Sequence, residues 1–277
     1  MSNITLTASM RSNLASLKGI QGQMDTTQTR LSTGKKVNSA IDNASSFYQA
    51  RSLSNRAADL DSLLDSMGQG IQTIQAASEG IEAITSYIEQ AKSVADAAAA
   101  LDSSDATAYA SQLANYKGQF NAIVDQIGKL AEDASYQGVN LLKGNTLKVV
   151  FNEGRTHDMT VTGDDVVAKM AEAGIGFTRA AWEDADDVAA SLEAVTKATN
   201  YLRDYSSKLG NNFAIIETRQ NFTEAMIDVL ETGADNLVLA DMNEESANYL
   251  ALQTRQQLAI NSLALASQSA QSVLKLF

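Results

Sequence analysis

LDSLLDSMGQGIQTIQAASEGIEAITSYIEQAKSVA, residues 60–95, decides the fold class. Leu60, Met67, Ile74, Ile81, Ile88 and Ala95 recur at seven without a gap, and Leu64, Ile71, Ala77, Ile84 and Ala91 flank them. A seven-residue apolar repeat with neighbours at three and four marks one face of a long helix packed against another. Read as a helix over 57–101, it spans roughly 67 Å at about 1.5 Å per residue. Gly68, Gly70 and Gly80 weaken it locally.

Working outward, Asp102-Ser103-Ser104-Asp105 reads as a turn and cap. A third helix follows, with Tyr109, Leu113, Tyr116, Phe120, Ile123, Ile127 and Leu130 in three-four spacing. The period changes after Gly138. Thr146–Phe151 and Asp158–Thr162 alternate as two strands about the turn Asn152-Glu153-Gly154-Arg155. A short helix near 164–173 and a loop at Gly174-Ile175-Gly176 come next. The acids Glu183–Asp187 then open a fourth helix, where the helix dipole favours them. Val188, Leu192, Val195, Leu202, Leu209, Phe213 and Ile216 mark its face. The pair Thr232-Gly233 predicts its end, with a last helix starting near Asp235. At the other end, Met10, Leu17, Met24 and Leu31 repeat at seven with Leu14 offset by four, and Gly34 reads as the helix stop. Gln21 and Gln28 weaken that seam. The expected fold is mainly α: a long antiparallel helical bundle or coiled coil with a small β-hairpin region.

Composition narrows the function. The 277 residues contain no cysteine, no proline and one histidine, His157. Disulfides, thiolate zinc sites and Cys nucleophiles are excluded, and multi-histidine metal sites with them. About 14 prolines would be ordinary for this length. Their absence suits unbroken helices, and equally a chain that must refold quickly without slow prolyl isomerisation. The net charge of −12 disfavours nucleic acid and anionic membrane as partners. Residues 1–56 carry seven Lys/Arg and two Asp, which leaves −17 for the remainder. The charge-free run 256–274 holds nine Gln, Asn or Ser residues, too polar for membrane insertion. Residues 1–30 lack the apolar core of a secretory signal.

No catalytic constellation emerges, and the expectation is a non-enzyme with no cofactor and no metal. Lys35-Lys36 follows Gly34, but position 29 is Thr where a phosphate loop needs Gly. Gly68-Gln69-Gly70 lies inside a helical repeat without a preceding strand. His157-Asp158 sits in the hairpin without triad partners. The acids at 183–187, with Asp241, Glu244 and Glu245, read as helix-start and solvated-face charge.

The two ends behave differently from the middle. Residues 237–277 place Leu258, Ala259, Ile260, Leu263, Leu265, Val273 and Leu274 around every side of a helix. Such a helix needs burial on all sides, which a chain terminus seldom finds within its own monomer. The expected assembly surface, covered by other copies of the chain, is therefore Met10, Leu14, Leu17, Met24, Leu31, Leu250, Leu258, Leu263, Leu265, Val273, Leu274 and Phe277.

The segment Arg30-Leu31-Ser32-Thr33-Gly34-Lys35-Lys36-Val37-Asn38-Ser39-Ala40-Ile41-Asp42-Asn43-Ala44 resembles the signature of bacterial flagellins. Ala240–Ala247 and Gln271–Phe277 are similar to the flagellin C-terminal block, and Tyr136–Leu142 to the turn before the flagellin hairpin. The resemblance covers about 1–145 and 184–277. It implies a structural subunit of the flagellar filament. Residues 1–44 and 235–277 would form an inner coiled-coil domain, 45–145 and 184–234 a helical rod domain, and 146–183 a hairpin and short outer segment. It implies export through a flagellar type III apparatus, an export chaperone, a filament cap and hook-associated proteins. The partner in the filament would be the chain itself, alone or with other flagellins, and the location extracellular. A hook–filament junction protein shares the terminal architecture, and a soluble bundle adhesin or enzyme is the alternative from another class. Many flagellins carry a Q-R-x-R-E-L patch that a vertebrate Toll-like receptor recognises. The matching residues here are Glu89, Gln90, Ala91, Lys92, Ser93 and Val94, with Gln for the central Arg and Ser for the Glu. Gln cannot replace a bidentate Arg, so weak or absent receptor activation is expected.

Overall fold

The computed structural model describes residues 8–102 and 104–274, apart from the side chains of 270, 271, 273 and 274. The elements run α1 (Ala8–Thr33), α2 (Ala44–Ala99), α3 (Ala106–Asp133), β1 (Thr146–Val150), β2 (Asp158–Thr162), α4 (Val166–Ala171), α5 (Ala185–Val238) and α6 (Met242–Leu274). The chain folds as two units, Met1–Ala57 with Asp228–Phe277, and Ala58–Ile227. The hairpin, α3 and α4 lie in the second unit with α2 from Ala58 onward and α5 as far as Ile227.

In the second unit the seven-residue repeat of α2 is the core. Met67, Ile74, Ile81, Ile88 and Ala95 are buried, joined by Leu113, Phe120 and Ile127 of α3 and Val188, Val195, Leu202, Leu209 and Ile216 of α5. Each large apolar side chain buried there contributes about 1.5–3 kcal/mol. Asp105 caps α3 by accepting from the backbone N–H groups of Thr107 and Ala108. Phe120 meets Trp182 at 5.0 Å and Phe177 at 5.9 Å, which ties the segment before α5 to α3. The strands pair antiparallel from Thr146↔Thr162 to Val150↔Asp158, and Val149 and Val161 are buried.

Two helix glycines let this hairpin region approach α2. A Cβ at Gly70 would lie 2.8 Å from Val149 Cγ2, and one at Gly80 would lie 2.7 Å from Leu142 Cδ1. The helix therefore gives up propensity at these positions to gain contact. Tyr205 of α5 holds the same loops, donating to the Leu141 carbonyl at 2.8 Å and accepting from the Asp164 N–H at 3.1 Å.

In the first unit α1 packs along α6. Gly34 closes α1 in the left-handed region at φ 71°, with its N–H on the Arg30 carbonyl at 2.8 Å. The chain after it pairs with the end of α5. The N–H groups of Lys36 and Val37 reach the Val238 carbonyl at 2.7 and 3.3 Å, and Ala240 N–H reaches the Gly34 carbonyl at 2.9 Å.

Three helix boundaries differ from the sequence reading: the start of α2, the end of α5 and the start of α6, expected near Asp235. Helix α2 begins at Ala44 rather than near 57, because Asn43 caps it by accepting from the Ser46 N–H at 3.1 Å. Helix α5 runs through Thr232-Gly233 to Val238. A Cβ at Gly233 would stand 3.4 Å from Leu53 Cδ1, so this glycine serves close packing and not a stop. The break comes at Asp241, which accepts from Asn243 and Glu244 N–H and starts α6.

Candidate assembly surface

Pairing of α1 with α6 sorts the residues expected at the assembly surface into two groups. Met10 and Met24 are buried, and Leu17, Leu31 and Leu263 are half-buried. Leu14, Leu250, Leu258 and Leu265 are exposed, the last two at 62% and 68%. Ile260 joins them. The side chains of Val273 and Leu274, and all of Phe277, lie outside the described residues. The terminal helices thus cover one stripe for each other and leave large aliphatic side chains in solvent on more than one face, with Leu258 and Ile260 on opposite sides of α6.

Polar contacts set the register of the pair. Arg30 donates to Glu245 Oε1 at 2.9 Å, and Gln256 donates to Gln21 Oε1 at 2.6 Å. Gln21, an interruption of the seam by sequence, is a cross-helix hydrogen-bond partner. Glu245 corrects the sequence reading outright. It is buried at 7% exposure, not a solvated charge. No local signal marks this, because its partner lies 215 residues away.

The turn between α1 and α2 is braced from within. Asp42 Oδ2 accepts from the N–H groups of Asn38 and Ser39 at 3.0 and 2.9 Å and from the Ser39 hydroxyl at 3.1 Å. These bonds, Ser39 N–H foremost, hold its carboxyl below the usual carboxylate range. Ile41, inside this braced turn, is 96% exposed.

The remaining candidates take structural places. Glu89, Gln90, Lys92 and Ser93 are exposed on α2, Ala91 is buried and Val94 half-buried. Lys35 and Lys36 belong to the paired connection after Gly34. Gln69 Oε1 accepts from the Tyr136 hydroxyl and the Gln137 amide, both at 2.8 Å. The backbone N–H of His157 donates to Asn152 Oδ1 in the hairpin turn. Asp184 caps α5 through the N–H groups of Asp186 and Asp187. Among the described residues no group of three or more His, Cys, Asp or Glu is arranged to hold a metal. Among them also, no helix is long and apolar enough to cross a membrane.

Comparison with known proteins agrees with this architecture. Residues 3–146 match the bacterial flagellin N-terminal helical region, and residues 192–277 match the C-terminal helical region. Flagellin FljK of Caulobacter vibrioides is 34% identical over 100% of this chain and 99% of its own length. Flagellin FljM of the same organism is 33% identical over 95% of this chain and 94% of its own. A flagellin of Brucella melitensis is 30% identical over 100% of this chain and 99% of its own. With both terminal regions matched and relatives aligned end to end, the chain belongs to the bacterial flagellin family.

Proposed function

We propose that this flagellin polymerises through the large aliphatic side chains that its paired terminal helices leave exposed. As a flagellin it is a structural subunit of the bacterial flagellar filament, and nothing favours the hook–filament junction alternative. The observation that supports the reading is the exposure of Leu14, Leu250, Leu258, Ile260 and Leu265 on helices already packed together. Large aliphatics at 44–68% exposure on several faces of the pair suit burial by more than one neighbouring copy. Burying each in a neighbouring copy is worth about 1.5–3 kcal/mol. Met10, Leu17, Met24 and Leu31 then act within the chain, holding the shape that neighbours meet. In this reading residues 1–44 and 235–277 form the inner layer, 45–145 and 184–234 the rod, and 146–183 the short outer segment.

The location in the extracellular filament carries an export route with it. We propose a flagellar type III apparatus, an export chaperone on the C-terminal helix, and a cap and hook-associated proteins at the filament ends. The altered patch at Glu89, Gln90, Lys92, Ser93 and Val94 predicts weak or absent Toll-like receptor activation by purified monomer, read in a receptor reporter assay.

Limited trypsin digestion of monomer and of seeded polymer, read by mass spectrometry, tests the assembly surface. Cleavage after the exposed Arg255 of α6 is expected in the monomer and lost in the polymer. Equal cleavage in both states would place α6 outside the contact.

A further inference from the structure

Helix α5 has two unlike shoulders beside its buried seam. Ile216, Thr223 and Leu230 recur at seven and are buried. On one side Ile215, Phe222 and Val229 recur at seven and are exposed, at 48%, 56% and 64%. On the other side Glu217, Glu224 and Glu231 recur at seven, all exposed. An aliphatic-aromatic shoulder kept in solvent beside an acidic one is a surface waiting for an apolar partner with basic surroundings. The cation closest in sequence to Phe222, Arg219, is engaged elsewhere, 5.5 Å over the Phe151 ring.

The same chain carries such a partner. Ile41 stands 96% exposed on the turn that Asp42 braces, and Tyr48 is exposed one turn into α2. Lys35, Lys36 and Arg51, all exposed, lie in the same region, and Lys35 and Arg51 line one pocket with Asn38 of that turn and a single acid, Asp235. A side chain presented on a rigid turn loses little freedom on docking. The charge balance of the units agrees. Met1–Ala57 with Asp228–Phe277 holds nine Lys and Arg against eight acids, whereas Ala58–Ile227 holds 12 against 25. Two copies of the second unit set side by side would oppose acidic surfaces. A head-to-tail contact sets the basic turn of one copy against the acidic unit of another, and such contacts extend into an open filament when the rotation between copies does not close a ring.

We propose that the Ile41 turn of one copy docks on the Ile215–Phe222 shoulder of α5 in a second copy, as a contact separate from the exposed aliphatics of the terminal helices. The proposal rests on the polymerisation reading and adds to it a specific pair of surfaces. The absence of native cysteine makes the test clean. Ile41→Cys and Phe222→Cys chains are prepared separately, polymerised alone or mixed, and treated with a short bis-maleimide. Cross-linked dimer is expected in the mixed polymer, with neither single-variant polymer linking to itself. Ile41→Cys linking to itself, or polymer forming without a mixed cross-link, overturns the docking pair and leaves the terminal-helix reading standing. Failure of the unsubstituted chain to polymerise overturns the assembly reading on which it rests. As a second readout, Ile41→Asp and Phe222→Glu chains are expected to keep the monomer's circular dichroism and melting. Their critical concentration for polymer growth should rise about tenfold or more, the equivalent of about 1.4 kcal/mol. An unchanged critical concentration in both overturns the proposal.

Discussion

Arg30 and Glu245, 215 residues apart, join the terminal helices through a 2.9 Å charged hydrogen bond in which the carboxylate is nearly buried and the guanidinium reaches solvent. The two sides are therefore unequal. Arg30→Ala leaves a buried carboxylate without its partner and should loosen the α1–α6 pair by about 1–3 kcal/mol. Glu245→Gln keeps a hydrogen-bond acceptor and should cost about 1 kcal/mol or less. Hydrogen exchange of α6 amides in the two monomers checks the order, which a purely solvated ion pair would not produce.

Gly80 and Gly68 lie in one helix and should respond oppositely to alanine. At Gly80 the new methyl meets Leu142 Cδ1 at 2.7 Å and Ala134 Cβ at 2.9 Å. Overpacking there should cost about 1–3 kcal/mol, more than the helix-propensity gain. At Gly68 nothing lies within 4 Å, so Gly68→Ala should stabilise by up to about 1 kcal/mol. Thermal unfolding of the two variants reads the difference in sign.

Alkaline stability should depend on a tyrosine pair. Tyr201 and Tyr205 stack with ring centroids 6.3 Å apart. Burial, with the charge of Asp164 adding to it, holds the Tyr201 phenol far above its ordinary value, and burial raises Tyr205 as well. Both phenols are neutral, folded or unfolded, at neutral pH. Above about pH 10 the unfolded chain ionises them first, so stability present below that pH is lost as pH rises towards the folded values. Denaturant titrations from pH 9 upward should show the fall, and Tyr201→Phe should reduce its slope. An unchanged slope would mean that Tyr201 ionises as easily folded as unfolded.

Leu258 and Leu265 stand two helical turns apart on α6, both exposed. Glutamate at either position should leave monomer melting within about 0.5 kcal/mol of the parent. Polymer yield by sedimentation should nevertheless fall sharply, because a charge would have to be buried between copies. A matching loss of monomer stability would assign these leucines to the intramolecular core instead.

Much of the fold was legible because it is local. The seven-residue run from Leu60 to Ala95, the alternation in Thr146–Val150 and Asp158–Thr162, and the cap at Asp105 each carry their own periodicity or chemistry. The start of α2 was not legible, since the turns from Ala44 to Asn55 are largely exposed and carry little apolar seam. Nor was the passage of α5 through Gly233, because a glycine that ends a helix and one that admits Leu53 look alike in one dimension. Glu245 looked like surface charge for the same reason.

The sequence by itself determined which segments are helical, where the hairpin turns, and that the ends carry more apolar surface than charge can solvate. Those properties follow from the spacing of neighbours along the chain. Only the tertiary structure decided how that surface is divided. Met24 is covered within the chain and Leu258 is not, Ile41 is held out on a braced turn, and Phe222 lies beside a buried seam without joining it. Burial is a relation between segments far apart in sequence, and periodicity marks an apolar face without naming what covers it.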